Sequence, residues 1–218
     1  MAAPKKTPLV AGASLVLLVV LGAVAYAVGL SPFEKRGEIS ADRVCGSLGD
    51  GEAAAAALPD ALPEKSEYRF SGQDGRRSDE SRDQFASHCF VSADGKTLLS
   101  VTAEMVTSPS PDSWSERVIK DESVPGENGG PTLDFTAGDK ALATGRLAAV
   151  YVPCVTEGRL PGGPRHLSVV AHAVDAPDSS EKAARQSLVD LVLMTARHAH
   201  ERATCDLPSR LPDTSPTL

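Results

Sequence analysis

Residues 88–106, HCFVSADGKTLLSVTAEMV, hold the strongest fold signal in this chain. Leu99, Val101, Ala103 and Met105 fall on one side of an extended backbone, and Ser100, Thr102 and Glu104 fall on the other. That period of two is what a strand buried on one face requires. Ala93-Asp94-Gly95 supplies hairpin turn chemistry just ahead of it. The run from Ala86 then forms the partner strand. Gly95-Lys96-Thr97 has the look of a phosphate-binding loop, but Phe90 stands where that motif needs glycine, so the turn is the better reading.

Other elements flank this hairpin. Tyr68 and Phe70 alternate within 67–72 as a strand, and further strands are expected near 132–136, 145–154 and 166–174. Either one helix or two short ones, at about 41–48 and 51–58, are expected next, opened by Ser40 or Asp42 as a cap. A short helix starting at Asp112 or Ser113 is expected inside the Pro/Ser/Gly-rich connection 107–131. A long one, opened by Asp178 and Glu181 as a capping box, is expected over 178–203. The fold class is therefore α+β: one antiparallel sheet with helices packed on one face. The domain spans 41–205, and 206–218, DLPSRLPDTSPTL with its preceding cysteine omitted, reads as a disordered tail. Only 4% of residues are aromatic, so Val, Leu and Ala must build the core.

Pro8 to Leu30 is uncharged over 23 residues. As a helix it covers about 34 Å, enough for a hydrocarbon core of about 30 Å. Residues 1–7 would be a short cytoplasmic terminus, 8–30 a transmembrane signal anchor lodged in the lipid bilayer, and 31–40 a tether. Ala25-Tyr26-Ala27 also offers signal peptidase a pattern, and cleavage after Ala27 would give a secreted domain. Lys5 and Lys6 face Lys35 and Arg36 across the segment, so charge alone barely orients it. The short amino-terminal flank and an even cysteine count favour an extracytoplasmic carboxyl domain at the cell membrane.

Cys45, Cys89, Cys154 and Cys205 all follow the apolar segment, and no C-x-x-C pair is present. In an oxidising compartment they read as two disulfides. Three connectivities exist. The order of elements favours Cys45–Cys89 and Cys154–Cys205, each stapling one helix to one hairpin. A membrane segment, a cysteine-bearing helix and then HCFVSADGKTLLSV together resemble actinobacterial cell-envelope domains of unknown function, many of them lipoproteins. The resemblance covers about 45–106 and implies an envelope location and an α+β domain. It carries no catalytic residue, and this chain lacks the lipoprotein cysteine directly after its apolar run.

Candidate chemistry is sparse. His198 and His200 lie about 160° apart around a helix and cannot share a metal, and His88, His166 and His172 are scattered. No G-x-S-x-G elbow occurs. Asp74, Asp79, Glu80 and Asp83 read as a solvated loop. No metal or cofactor is expected. Beyond residue 30 there are 20 basic and 29 acidic residues, a net of −9, which disfavours nucleic acid as a partner. Trp114, the single tryptophan, is either a partner anchor or a lid over the core edge. The expected function is that of an anchored domain binding a protein or envelope component. An envelope enzyme with a site assembled from dispersed residues, or an accessory subunit of an envelope complex, are the alternatives. Intact mass of membrane-derived protein is expected to retain residues 8–30; a chain beginning at Val28 would overturn the anchor.

Overall fold

The computed structural model describes residues 36–77, 84–107, 110–122 and 131–218. The anchor 8–30 and residues 79, 80 and 83 of the acidic loop lie outside them. Among the described residues no helix is long and apolar enough to cross a membrane.

Seven strands form one antiparallel sheet in the order β1-β2-β3-β7-β6-β5-β4. They are β1 (Arg69–Gln73), β2 (Ala86–Ala93), β3 (Lys96–Val106), β4 (Leu133–Asp134), β5 (Lys140–Ala143), β6 (Leu147–Val155) and β7 (Arg165–Ala173). The chain meanders through β1–β3, crosses to the far edge, and meanders back through β4–β7 until β7 pairs with β3. The β2–β3 turn is tight because Asp94 and Gly95 both adopt positive φ, 52° and 74°, the backbone of a two-residue hairpin of the type whose twist matches its strands. Leu99, Val101 and Ala103 are buried on one face as their alternation requires, with Met105 packed at its margin.

The helices are α1 (Gly51–Ala61), α2 (Pro111–Glu122) and α3 (Glu181–Arg202). α3 lies on the main core with Leu188, Leu191 and Val192 fully buried, and α1 packs alongside it. The aromatic-poor sequence lets these two helices approach closely, and the Ser187 hydroxyl donates to the Ala57 carbonyl at 2.6 Å.

Several expectations need correction. Helices do not share one face: α2 covers the opposite side, where Trp114 and Val118 pack on Leu142, Leu147, Ala149, Tyr151 and Val170. The cause is β6, buried at all nine positions, whose two apolar faces both need covering. The 41–48 helix shrinks to a 3-10 turn, Gly46–Leu48, with Cys45 extended before it. Gly46 and Gly49 leave too little helix-forming chain to nucleate a longer element. The cap of α3 is Ser180, whose hydroxyl accepts from the Ala183 amide; Asp178 instead accepts from the Glu64 amide. β5 was not foreseen, since Lys140-Ala141-Leu142-Ala143 is short and poor in β-branched residues and exists by pairing with β6.

The tail also departs from expectation. Residues 206–218 run along the domain, with the Arg197 guanidinium donating to the Pro212 carbonyl at 2.6 Å and the Gln186 amide to the Pro216 carbonyl at 3.0 Å. Leu211 and Leu218 pack against the core. Pro208, Pro212 and Pro216 restrict the free chain, which lowers the entropy lost on docking.

Both expected disulfides are present, Cys45–Cys89 and Cys154–Cys205, with Cα atoms 5.7 and 4.4 Å apart. The first runs from the 3-10 turn to β2, the second from β6 to the residues just past α3. The bridge of Cys45 depends on Gly72, which pairs with Cys89 across β1 and β2. A Cβ on Gly72 would lie 2.9 Å from Cys45 Sγ and 2.4 Å from the His88 carbonyl oxygen. Gly72→Ala is therefore expected to cost roughly 1–3 kcal/mol of stability, as overpacking does, read from the urea midpoint of oxidised protein. An unchanged midpoint would contradict the close approach.

Candidate functional site

An open groove of about 910 Å³ lies between α1, α3 and the tail. The alanine run of α1 makes one wall, since Ala53 and Ala56 face outward while Ala54, Leu58 and Ala61 face the core. Met194 and Ser187 of α3 lie at the base, and residues 213–215 of the tail close the far side. Gly49 holds one end tight: it adopts φ of 88°, and a Cβ there would meet His198 Cβ at 2.9 Å.

Five carboxylates line the groove, those of Asp50, Asp60, Asp190, Glu201 and Asp213. Asp50 caps α1 by accepting from the Glu52 and Ala53 amides, and Asp190 accepts from the Gln186 side chain. None of the five forms an ion pair among the described residues. Of the two basic lining residues only His198 has an acidic partner, and the Arg197 charge stays at the groove beside the tail. Arg197 is bound to the tail carbonyls of Pro212 and Asp213, and His198 Nε2 is 3.0 Å from Asp74 Oδ1, while Asp74 Oδ2 pairs with Arg202. The groove thus combines an apolar floor with an excess of negative charge.

The end of α3, Arg197 to Cys205, is held by local bonds. The His198 ring turns to Asp74, and His200 Nε2 turns to the Leu207 carbonyl at 2.9 Å, so the two rings diverge as the helical spacing dictates. Arg77 donates from its backbone amide to the Arg202 carbonyl and from its guanidinium to the Ala203 carbonyl, which satisfies acceptors at the end of the helix, and Arg202 Nε donates to the Gly75 carbonyl. Thr204 then takes φ of 51° and turns Cys205 back toward Cys154. No group of three or more His, Cys, Asp or Glu residues placed to hold a metal occurs among the described residues.

Trp114 is 2% exposed, so its ring offers no face to a partner. It stacks on Tyr151 at 5.0 Å between centroids, and its indole N–H donates to Ser168 Oγ at 2.8 Å. The core-edge alternative is the one realised, because α2 inserts the indole over the apolar back of β5–β7. The stack continues to His166, 4.1 Å from Tyr151. His166 Nε2 meets Asp139 Oδ2 at 3.1 Å, and Asp139 is also paired with Arg210 of the tail. His166 Nδ1 is buried without a hydrogen-bond partner among the described residues. The neutral ring therefore donates from Nε2 and leaves Nδ1 bare.

The groove was not anticipated from sequence. Its only linear trace is the alanine run 53–57, which is too small in side-chain volume to fill the space beside α3. The tail wall has no linear signature at all.

Burial lowers the His166 pKa below the usual histidine value; Asp139 opposes this and Arg210 adds to it. The folded ring thus resists a proton that the unfolded chain accepts near pH 6.5. Stability is expected to fall as pH drops through about 6.5 toward the depressed folded value. His166→Gln, which keeps a donor for Asp139, should show a smaller drop in urea midpoint between pH 7.5 and 5.5; an equal drop would remove His166 as the cause. Asp206 titrates in a separate, more acid window. Burial alone would raise its pKa, but donors from Arg159 and Thr156 outweigh that and hold it below the usual carboxylate value. No protein-family model, curated protein or solved structure matches this chain, so what points toward a function is the chemistry of the groove itself.

Proposed function

We propose that this protein is a membrane-tethered, extracytoplasmic binding domain that engages a partner through the α1–α3 groove. The observation that carries the reading is a concave, largely apolar surface between α1, α3 and the tail, bordered by five carboxylates with no ion-pair partner among the described residues. The disulfides agree with an oxidising compartment. The proposed anchor at 8–30 agrees with the position of Arg36, which donates to the carbonyls of Pro59 and Leu62 at the end of α1. Six residue steps separate Arg36 from Leu30, a reach of at most about 21 Å. With that anchor, the carboxyl end of α1 and one mouth of the groove would stand close to the bilayer.

An enzyme is less well supported. Catalysis needs convergent groups, such as a nucleophile bonded to a base. Asp190 and Glu201 are eleven residues apart on α3, about 16 Å along its axis. His198 is paired with Asp74, yet among the described residues no hydroxyl is hydrogen-bonded to its ring.

Photocrosslinking in the native envelope tests this reading. The photoreactive residue p-benzoylphenylalanine replaces Ala56 in the groove or Ser71 on the opposite sheet face. A discrete adduct from position 56 and none from position 71 is expected. Equal labelling from both, or none from either, would remove the groove as the binding surface.

A further inference from the structure

We propose that the occupant of the groove is a lysine- or arginine-bearing peptide segment of a partner protein, an inference that rests on the binding-domain reading and specifies its ligand. The first ground is charge complementarity. Asp50, Asp60, Asp190, Glu201 and Asp213 all border the groove and none has a cationic partner among the described residues. Arg197, held by tail carbonyls, offsets one of these five charges, and His198 is paired with Asp74, so the lining keeps an excess of negative charge. A cationic ligand would find partners for its charges, whereas an acidic peptide or a phosphate-bearing ligand would meet repulsion on entry.

The second ground is shape. The lining runs along α3 from Ala183 to Glu201, 18 residue steps, or about 27 Å. About eight residues of extended chain match that length. Ala53, Ala56 and Ala57 on one wall allow a peptide backbone to come close, and Met194 gives an adaptable apolar surface for the stems of lysine or arginine side chains. The carboxylates are strung along this length and lie on three segments: the start and end of α1, α3, and the tail. No group of three is placed for a metal ion, so the spacing suits a chain carrying several separated positive charges.

The test measures anisotropy of fluorescein-labelled nonapeptides against full-length protein in nanodiscs of neutral lipid. Alternating Lys/Ala is expected to bind saturably, while alternating Glu/Ala and Ser/Ala are not. Asp190→Asn with Asp213→Asn should weaken Lys/Ala binding at least tenfold, and Asp60→Asn with Glu201→Gln should do the same. Glu104→Gln on the opposite sheet face should leave it within twofold. Circular dichroism melts identify any pair that fails to fold, and the other pair then decides. Binding weakened equally by Glu104→Gln, equal binding of the Glu/Ala peptide, or full displacement by spermine would overturn the proposal. Absence of Lys/Ala binding together with an adduct from position 56 would overturn the ligand's chemistry alone. Absence of both would overturn the binding-domain reading too.

Discussion

The pairing of β3 with β7 is the joint on which this architecture depends. It runs from Leu99 opposite Ala173 to Val106 opposite His166, and it joins two meanders separated by α2 and its flanking loops. Closing so long a connection costs chain entropy before any contact is gained. The two disulfides restrict the unfolded chain within each half, at sequence separations of 44 and 51, and neither crosses the joint. Backbone hydrogen bonds and buried area hold it. α3 reinforces it by lying over β3, β6 and β7 together.

The composition then explains how each face is filled. The buried residues of the main core are aliphatic apart from Tyr68, Phe85 and two disulfide cysteines, with Phe70 and Phe135 packed at its margins. Small side chains let α1 and α3 come close enough for Ser187 to reach the Ala57 carbonyl. The opposite face collects Trp114, Tyr151 and His166 into one stack, which gives α2 a large contact from few residues. Sharing aromatics this unevenly leaves α2 docked mainly through its indole, whereas α3 is gripped along its whole length.

The groove is a consequence of the same economy. α3 is buried by the sheet on one side and by α1 and the tail on others, yet alanines cannot fill the wedge between them. The tail becomes a wall because Arg197 and Gln186 satisfy its carbonyls, and Asp139 anchors it through Arg210. Negative charge accumulates there because Asp50 serves as a helix cap and the other carboxylates occupy the solvent side of packed elements.

The sequence by itself determined the local elements and the staples. Alternation fixed β3, Asp94-Gly95 fixed its turn, and the placement of four cysteines on a hairpin and helix in each half pointed to the pairing that formed. It also separated His198 from His200, because helical angle follows from spacing alone. Tertiary structure decided the rest. Only sheet formation created β5 from Lys140–Ala143, and only the two apolar faces of β6 drew α2 to the far side and buried Trp114. Only docking ordered a proline-rich tail whose composition resembles that of disordered chains. These features are energies of contact between distant residues, and a linear pattern carries no term for them.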